Sequence, residues 1–430
     1  MSLDCHASDI GAFWLGPDPH GVLARFPPAP MVTLDKMRLI SDDVVDAYIA
    51  ASGITIRDDA VERLKSDAKS GMPEAVALWE HLTTVPEWVD QDTIKRAQAF
   101  YWRNSDLLGI LQLTTLVLGT SFAKIQKVLF STGYLTAERS VFRRLIETSA
   151  WVNSMMFEDA LLPEHQGWAT TVKVRFLHGH VRTRIRKMAV KNPQVYDEKE
   201  YGVPINQEDM IHTILDFCSG PLMKMRAMGQ LVTAQNTDDY LHMWRYVSYL
   251  SGVRDEFTPL TRGIDCCASF GYSFCLHNCV MTTTDETPRK LAQVLLRGMA
   301  RGVAELRALE HTQAAKEPTS EAAKSRLLED PKTQASVQRV QTFAHGVLTD
   351  IAIRLIGPQC TAYLALRRPT FGQRVAASLL IGWWWVASRI SYYAPWLGSL
   401  IASVNRSRMA RIESMTGVRM HKFDMKYEPK

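Results

Sequence analysis

The nine residues Val174-Arg-Phe-Leu-His-Gly-His-Val-Arg182 set two histidines among arginines at helical spacing. On a helix, Val174, Leu177, His178, Val181, Ile185 and Met188 share one face, because residues three and four apart stack. His180 lies on the opposite side with Lys173, Arg184 and Lys187. One imidazole is therefore predicted to face the core and the other water. A buried imidazole needs a partner for its ring nitrogens. Two kinds of partner suit His178: a hydrogen-bonding neighbour in the core, or a metal, of which haem iron is one. Flanking arginines, Arg175 and Arg182, suit the propionates of a haem.

A second constellation lies on a predicted helix over 136–157. Arg144, Glu147, Thr148 and Trp151 fall on one face by i, i+3, i+4, i+7 spacing. Two readings fit. The first is an Arg–Glu pair on a solvated surface. The second is a partly buried site, since Val141, Leu145, Val152 and Met156 run close to the stripe, and a buried arginine needs an anion. In Gly202–Asp209, Asn206 is placed to cap a helix with Asp209 at its third position. Trp244, Tyr246 and Tyr249 read as core or pocket lining, and Arg245 as a further propionate candidate.

The elements that must carry these residues are helical. Periodic segments recur from about 41 to 405, and no alternating run with hairpin turns reads as a strand. We expect an all-α chain. Residues 1–79 read as an irregular lead-in to about 35 followed by peripheral helices, 80–310 as the helical core, 311–336 as a charged loop, and 337–430 as C-terminal helices. A single long helix is expected over 370–405. With 46% hydrophobic and 22% charged residues over 430 positions, the composition is that of a globular protein.

A net charge of +5 with both signs interspersed excludes a nucleic-acid binder. Seven cysteines without a small-domain framework point to a reducing compartment; Cys275 and Cys279 read as core residues rather than metal ligands. No secretory signal opens the sequence, which predicts an intracellular chain. Val375–Ala387 is apolar and Trp-rich, and with the basic residues that follow it suggests contact with a membrane surface over 375–405.

Six motifs recur in order: Pro86-Glu-Trp-Val-Asp90, Thr132-Gly-Tyr-Leu135, Arg143-Arg-Leu-Ile-Glu-Thr148, the Val174–Arg182 stretch, Gly202–Asp209, and Tyr240-Leu-His-Met-Trp-Arg-Tyr-Val247. Together they resemble the catalytic domain shared by bacterial latex-clearing proteins (rubber oxygenases) and fungal MpaB-type oxygenases, over roughly residues 80–290. The resemblance implies a globin-like helical core around haem b, with His178 as the iron ligand and Arg144 and Thr148 lining the opposite side. It implies dioxygen-dependent cleavage of an isoprenoid C=C bond.

Two departures stand out. Rubber oxygenases carry a lysine where this chain has Glu147, so an ammonium ligand to iron is absent there. Their upstream carboxylate has no counterpart near Lys127–Val128, which leaves Glu147 as the candidate proton-transfer group. The expected substrate is a small or membrane-dissolved unsaturated lipid. Two other readings stay open on the residues alone: a haem protein that senses or carries, and a haem-free helical scaffold at a membrane.

Overall fold

The computed structural model describes residues 13–16, 18–131, 138–278, 286–310 and 326–418. Among them there is no β-strand; the fold is all-α. Two short helices, α1 (Pro19–Arg25) and α2 (Met31–Met37), replace the irregular lead-in expected from its proline content. The reason is local. Asp18 caps α1 with Pro19 at its first position, where a missing N–H costs nothing, and Pro30 immediately precedes α2. Nor is this lead-in peripheral. Trp14 is fully buried, and its ring fills the space left by the absent side chain of Gly271.

Aspartates start the next helices. Asp42 caps α3 (Asp43–Ser52) and Asp59 caps α4 (Ala60–Lys69). α5 (Pro73–Thr83) packs on both. Asp90 caps α6 (Gln91–Gly119), a helix about 43 Å long whose second half is buried on nearly every side. It stops at Thr120–Phe122, where the Gln126 side chain donates to the Thr120 carbonyl, and α7 (Ala123–Ser131) follows.

A helical hairpin then carries the two candidate constellations. α8 (Glu138–Ser154) and α9 (Gln166–Lys191) are tied by the Trp151 indole donating to Thr171 Oγ1 at 3.2 Å. After the one-turn α10 (Glu198–Tyr201) come α11 (Gln207–Phe217), α12 (Ser219–Ala227), α13 (Ala234–Leu250) and α14 (Ile264–Asn278). α15 (Thr287–Glu310) lies along α8. Gly298 and Gly302 make that approach possible: a Cβ at Gly302 would fall within the ring of Phe142.

The last three helices pack on α6, the final two meeting its middle at Trp102–Leu107. α16 (Pro331–Tyr363) kinks at Gly357, φ 85°, followed by Pro358. α17 (Phe371–Tyr393) opens on a Thr370–Gln373 capping box. The single helix expected over 370–405 is two: Ala394 ends α17, and Pro395, lacking an N–H to continue the ladder, begins α18 (Pro395–Thr416). No helix among the described residues is long and apolar enough to cross a membrane. The cysteines among them are buried; Cys5 and Cys279 lie outside the described residues, as do most of the charged segment 311–336 and the Thr132–Leu135 motif.

Candidate active site

His178 sits midway along α9 and is half-buried, the ring lying away from bulk water. Its Nδ1 is buried with no hydrogen-bond partner. Burial lowers the imidazole's pKa to about 4, and the nearby Arg182 charge acts in the same direction. The ring is therefore neutral near pH 7, the form in which a histidine ligates a metal. His180, expected in water, is half-buried in the field of Asp58.

The flanking arginines are more deeply buried than Val174 and Val181 beside them, because the start of α3 supplies a carboxylate to each. Arg175 donates to Asp42 through Nε at 2.6 Å and Nη2 at 2.8 Å. Arg182 pairs with Asp46 through Nε at 2.7 Å and Nη2 at 2.8 Å, and its Nη1 donates to the Ile205 carbonyl at 2.9 Å. Both charges are thus balanced within the fold, as buried guanidiniums require; an anion from a cofactor is not needed to hold them. Only Arg175 Nη1 is left without a partner.

Two residues lock this arrangement. Gly252 has φ 88°, and a Cβ there would collide with the Asp42 carboxylate and approach Arg175 Nε to 2.8 Å. The buried Gln207 amide donates to the carbonyls of Ser41 and Gly252, and accepts from the Arg254 N–H at 3.0 Å. Asn206 caps α11 as its spacing predicts, accepting from the Asp209 N–H at 3.0 Å. The Gly202–Asp209 motif is a fastening between distant loops.

A second imidazole, the half-buried His81, stands against the same ion pair. Its Nε2 has no partner, its ring lies 4.4 Å from that of Tyr249, and burial lowers its pKa to about 4, aided by the Arg175 charge. Sequence reading passed over it, since nothing in α5 sets it apart from an ordinary helical histidine.

On α8, Glu147 accepts from Arg144 Nη1 and from Arg143 Nε at 3.0 Å. The Arg144 and Glu147 side chains are largely buried, whereas Thr148 is exposed. Arg245 lies apart from His178's arginines. It forms a two-point pair with Asp255, at 2.9 and 2.6 Å, and its guanidinium stacks 3.6 Å over Trp88. Trp88 also meets the rings of His242, Tyr246 and Tyr249 edge-on, and the Asp90 N–H donates to His242 Nε2. The first and last of the six motifs are thereby joined.

A cavity of about 790 Å³ opens beside α7, lined by Arg38, Lys124, Lys127, Tyr201 and His277 among others, but not by His178. Val128, next to Lys127, packs instead against Val181 and Ile185 of α9. Behind the cavity Glu208, fully buried, binds Lys124 Nζ at 2.5 Å, His277 Nδ1 at 2.8 Å and Asn278 Nδ2 at 2.7 Å. Despite the cost of burial, these donors bring its pKa down to about 2. The visible signal for this network was a lysine inside an otherwise buried segment, which sequence reading left unused.

Of the described residues, none group three or more His, Cys, Asp or Glu side chains about a common metal position. A single-histidine ligand, as to a porphyrin iron, is what the uncommitted neutral ring of His178 fits.

Residues 107–389 match the family model described as ER-bound oxygenase mpaB/B'/rubber oxygenase, catalytic domain. The chain is 25% identical over 183 residues to the rubber oxygenase of Streptomyces sp. (strain K30), a match covering 42% of this chain and 44% of that protein, under half its length. Its fold is similar to that of latex clearing protein LCP in the closed state, with a TM-score of 0.52 at 16% identity, covering 91% of this chain and 92% of the other.

Proposed function

This chain belongs to the family of MpaB-type and rubber oxygenase catalytic domains, and from that membership we propose that it oxidatively cleaves a C=C bond of an isoprenoid or other unsaturated lipid, using dioxygen and a haem b held by His178. One observation carries the cofactor assignment: a histidine kept neutral by burial, with an unpartnered ring nitrogen. Bound there, haem would supply the activation of dioxygen. In the overall reaction both oxygen atoms enter the products, one in each new carbonyl group.

The chain's own residues do the rest. Arg175 and Arg182, anchored to Asp42 and Asp46, fix the register of the helix that carries His178. Arg143 and Arg144 orient the Glu147 carboxylate, which we assign to take up a substrate proton and return it within the same turnover. Thr148 offers a hydroxyl at the exposed end of that face.

A second reading, a haem protein that senses or carries, is favoured by the commitment of Glu147 to two guanidiniums. The deciding experiment is expression with a haem precursor, an absorption spectrum with haem quantified per chain, and oxygen uptake with an unsaturated isoprenoid. A Soret band near one haem per chain, lost in His178→Ala, with oxygen consumption, is the expected result. Haem without oxygen uptake supports the carrier reading. A colourless folded protein, or full haem retention by His178→Ala, overturns the assignment.

A further inference from the structure

We propose that α17 and α18 form a docking surface for a bilayer bearing anionic headgroups. This surface lies on the last two helices and owes nothing to the oxygenase reading.

Between Asp350 and Glu413 the sequence runs 62 residues without a single aspartate or glutamate, while carrying eight arginines. Three of these, Arg354, Arg408 and Arg411, are matched by Asp350, Asp106 and Glu310. The other five, Arg367, Arg368, Arg374, Arg389 and Arg406, have no carboxylate partner among the described residues. Both signs are interspersed through the remainder of the chain, so this uncompensated charge is local.

The same helices expose large apolar side chains in register. On α17, Phe371, Val375, Leu379, Trp383, Val386 and Tyr393 recur at three-, four- and seven-residue intervals and share one face. Their exposure reaches 74% for Phe371, 70% for Leu379 and 77% for Tyr393. On α18, Trp396, Leu400 and Val404 repeat every four residues. A groove lined by Trp383, Trp384, Leu400 and Val404 joins the two stripes, so the apolar face is continuous across the hairpin.

An apolar patch of this extent marks a binding surface. Its chemistry selects the occupant. Tryptophan and tyrosine suit the boundary between headgroups and acyl chains. Arginines without acidic neighbours suit phosphate and carboxylate headgroups: Arg389 lies 3.5 Å over the Trp385 ring, keeping its charge at the aromatic rim, and Arg374 flanks Phe371. Neither helix is apolar enough to cross, so the hairpin lies along the interface.

The test is co-sedimentation of the full chain with phosphatidylcholine vesicles and with vesicles containing about one-third phosphatidylserine. We expect at least about tenfold stronger binding to the anionic vesicles, weakened by salt. Trp383→Ser/Trp396→Ser, at exposed positions that leave the core untouched, should lose about tenfold on both. Arg367→Gln/Arg368→Gln should lose the preference for phosphatidylserine while keeping the residual apolar binding. Equal binding to both vesicle types, or unchanged binding of the tryptophan variant, overturns the proposal. So does light scattering that finds a lipid-free dimer which the tryptophan changes dissociate, since the occupant is then a second copy of the chain.

Discussion

Asp42 caps α3 and at the same time closes a two-point ion pair with Arg175 of α9, both side chains almost wholly buried. One carboxylate thus sets the start of one helix and the position of another. Replacing it by alanine leaves a buried guanidinium without its anion, at a cost of about 3–5 kcal/mol. Denaturant unfolding should show that loss for Asp42→Ala. The double variant Asp42→Ala/Arg175→Met should recover part of it, because the uncompensated charge is gone. Equal stability of single and double variants would mean the pair is not coupled.

At Gly302, α15 lies directly against the Phe142 ring of α8. A methyl group there has to displace the Phe142 ring, so Gly302→Ala should destabilise by about 1–3 kcal/mol. Gly372, which has open space around its Cβ direction, is the control; alanine there should be neutral or slightly stabilising. Thermal unfolding of the two variants measures the contrast.

His212 is buried, stacked 3.7 Å from Phe274, with its pKa driven down to about 3 by burial and then by the Lys124 charge. The unfolded ring takes up a proton near pH 6.5, the folded ring only near 3. Between those values the unfolded state binds more protons. The stability is therefore full above pH 6.5 and drains as pH falls toward 3, at up to about 1.4 kcal/mol per unit. His212→Phe preserves the stack and removes the titration. Its unfolding free energy should drop less than wild type between about pH 7 and about pH 5, by roughly 2 kcal/mol. Parallel pH dependences for the two proteins would refute a buried neutral His212.

On the proposed reading, Arg144→Ala and Glu147→Gln should keep haem content while reducing oxygen uptake by about 100-fold or more. Absorbance at the Soret band reports the first quantity and an oxygen electrode the second. Wild-type rates in either variant would remove that residue from the reaction.

The helical class and the Asn206 cap were legible in the sequence because each depends on neighbours a few residues apart. The membership of the family was legible from six ordered motifs. What stayed hidden lies across long separations. Nothing local tells Arg175 and Arg182 that Asp42 and Asp46 wait more than a hundred residues earlier. The arginines therefore read as open to a cofactor, when the fold already balances their charge. Likewise Lys124 and Glu208 meet from helices 84 positions apart. Trp14 was hidden for a different reason: prolines around it signal irregular chain, and only the absent side chain of Gly271 shows where the indole goes.

Gln207 joins Ser41, Gly252 and Arg254 with one amide group, and Arg182 adds Ile205 to the same fastening. Segments that hold one another this way cannot fray one at a time. The backbone amides of Val203, Gln207 and Arg254 should therefore exchange with solvent in a single cooperative opening, sharing one protection factor, although they belong to two stretches separated by most of α11, α12 and α13. The stretch around Gln207 and the turn at Gly252–Arg254 then open together or not at all.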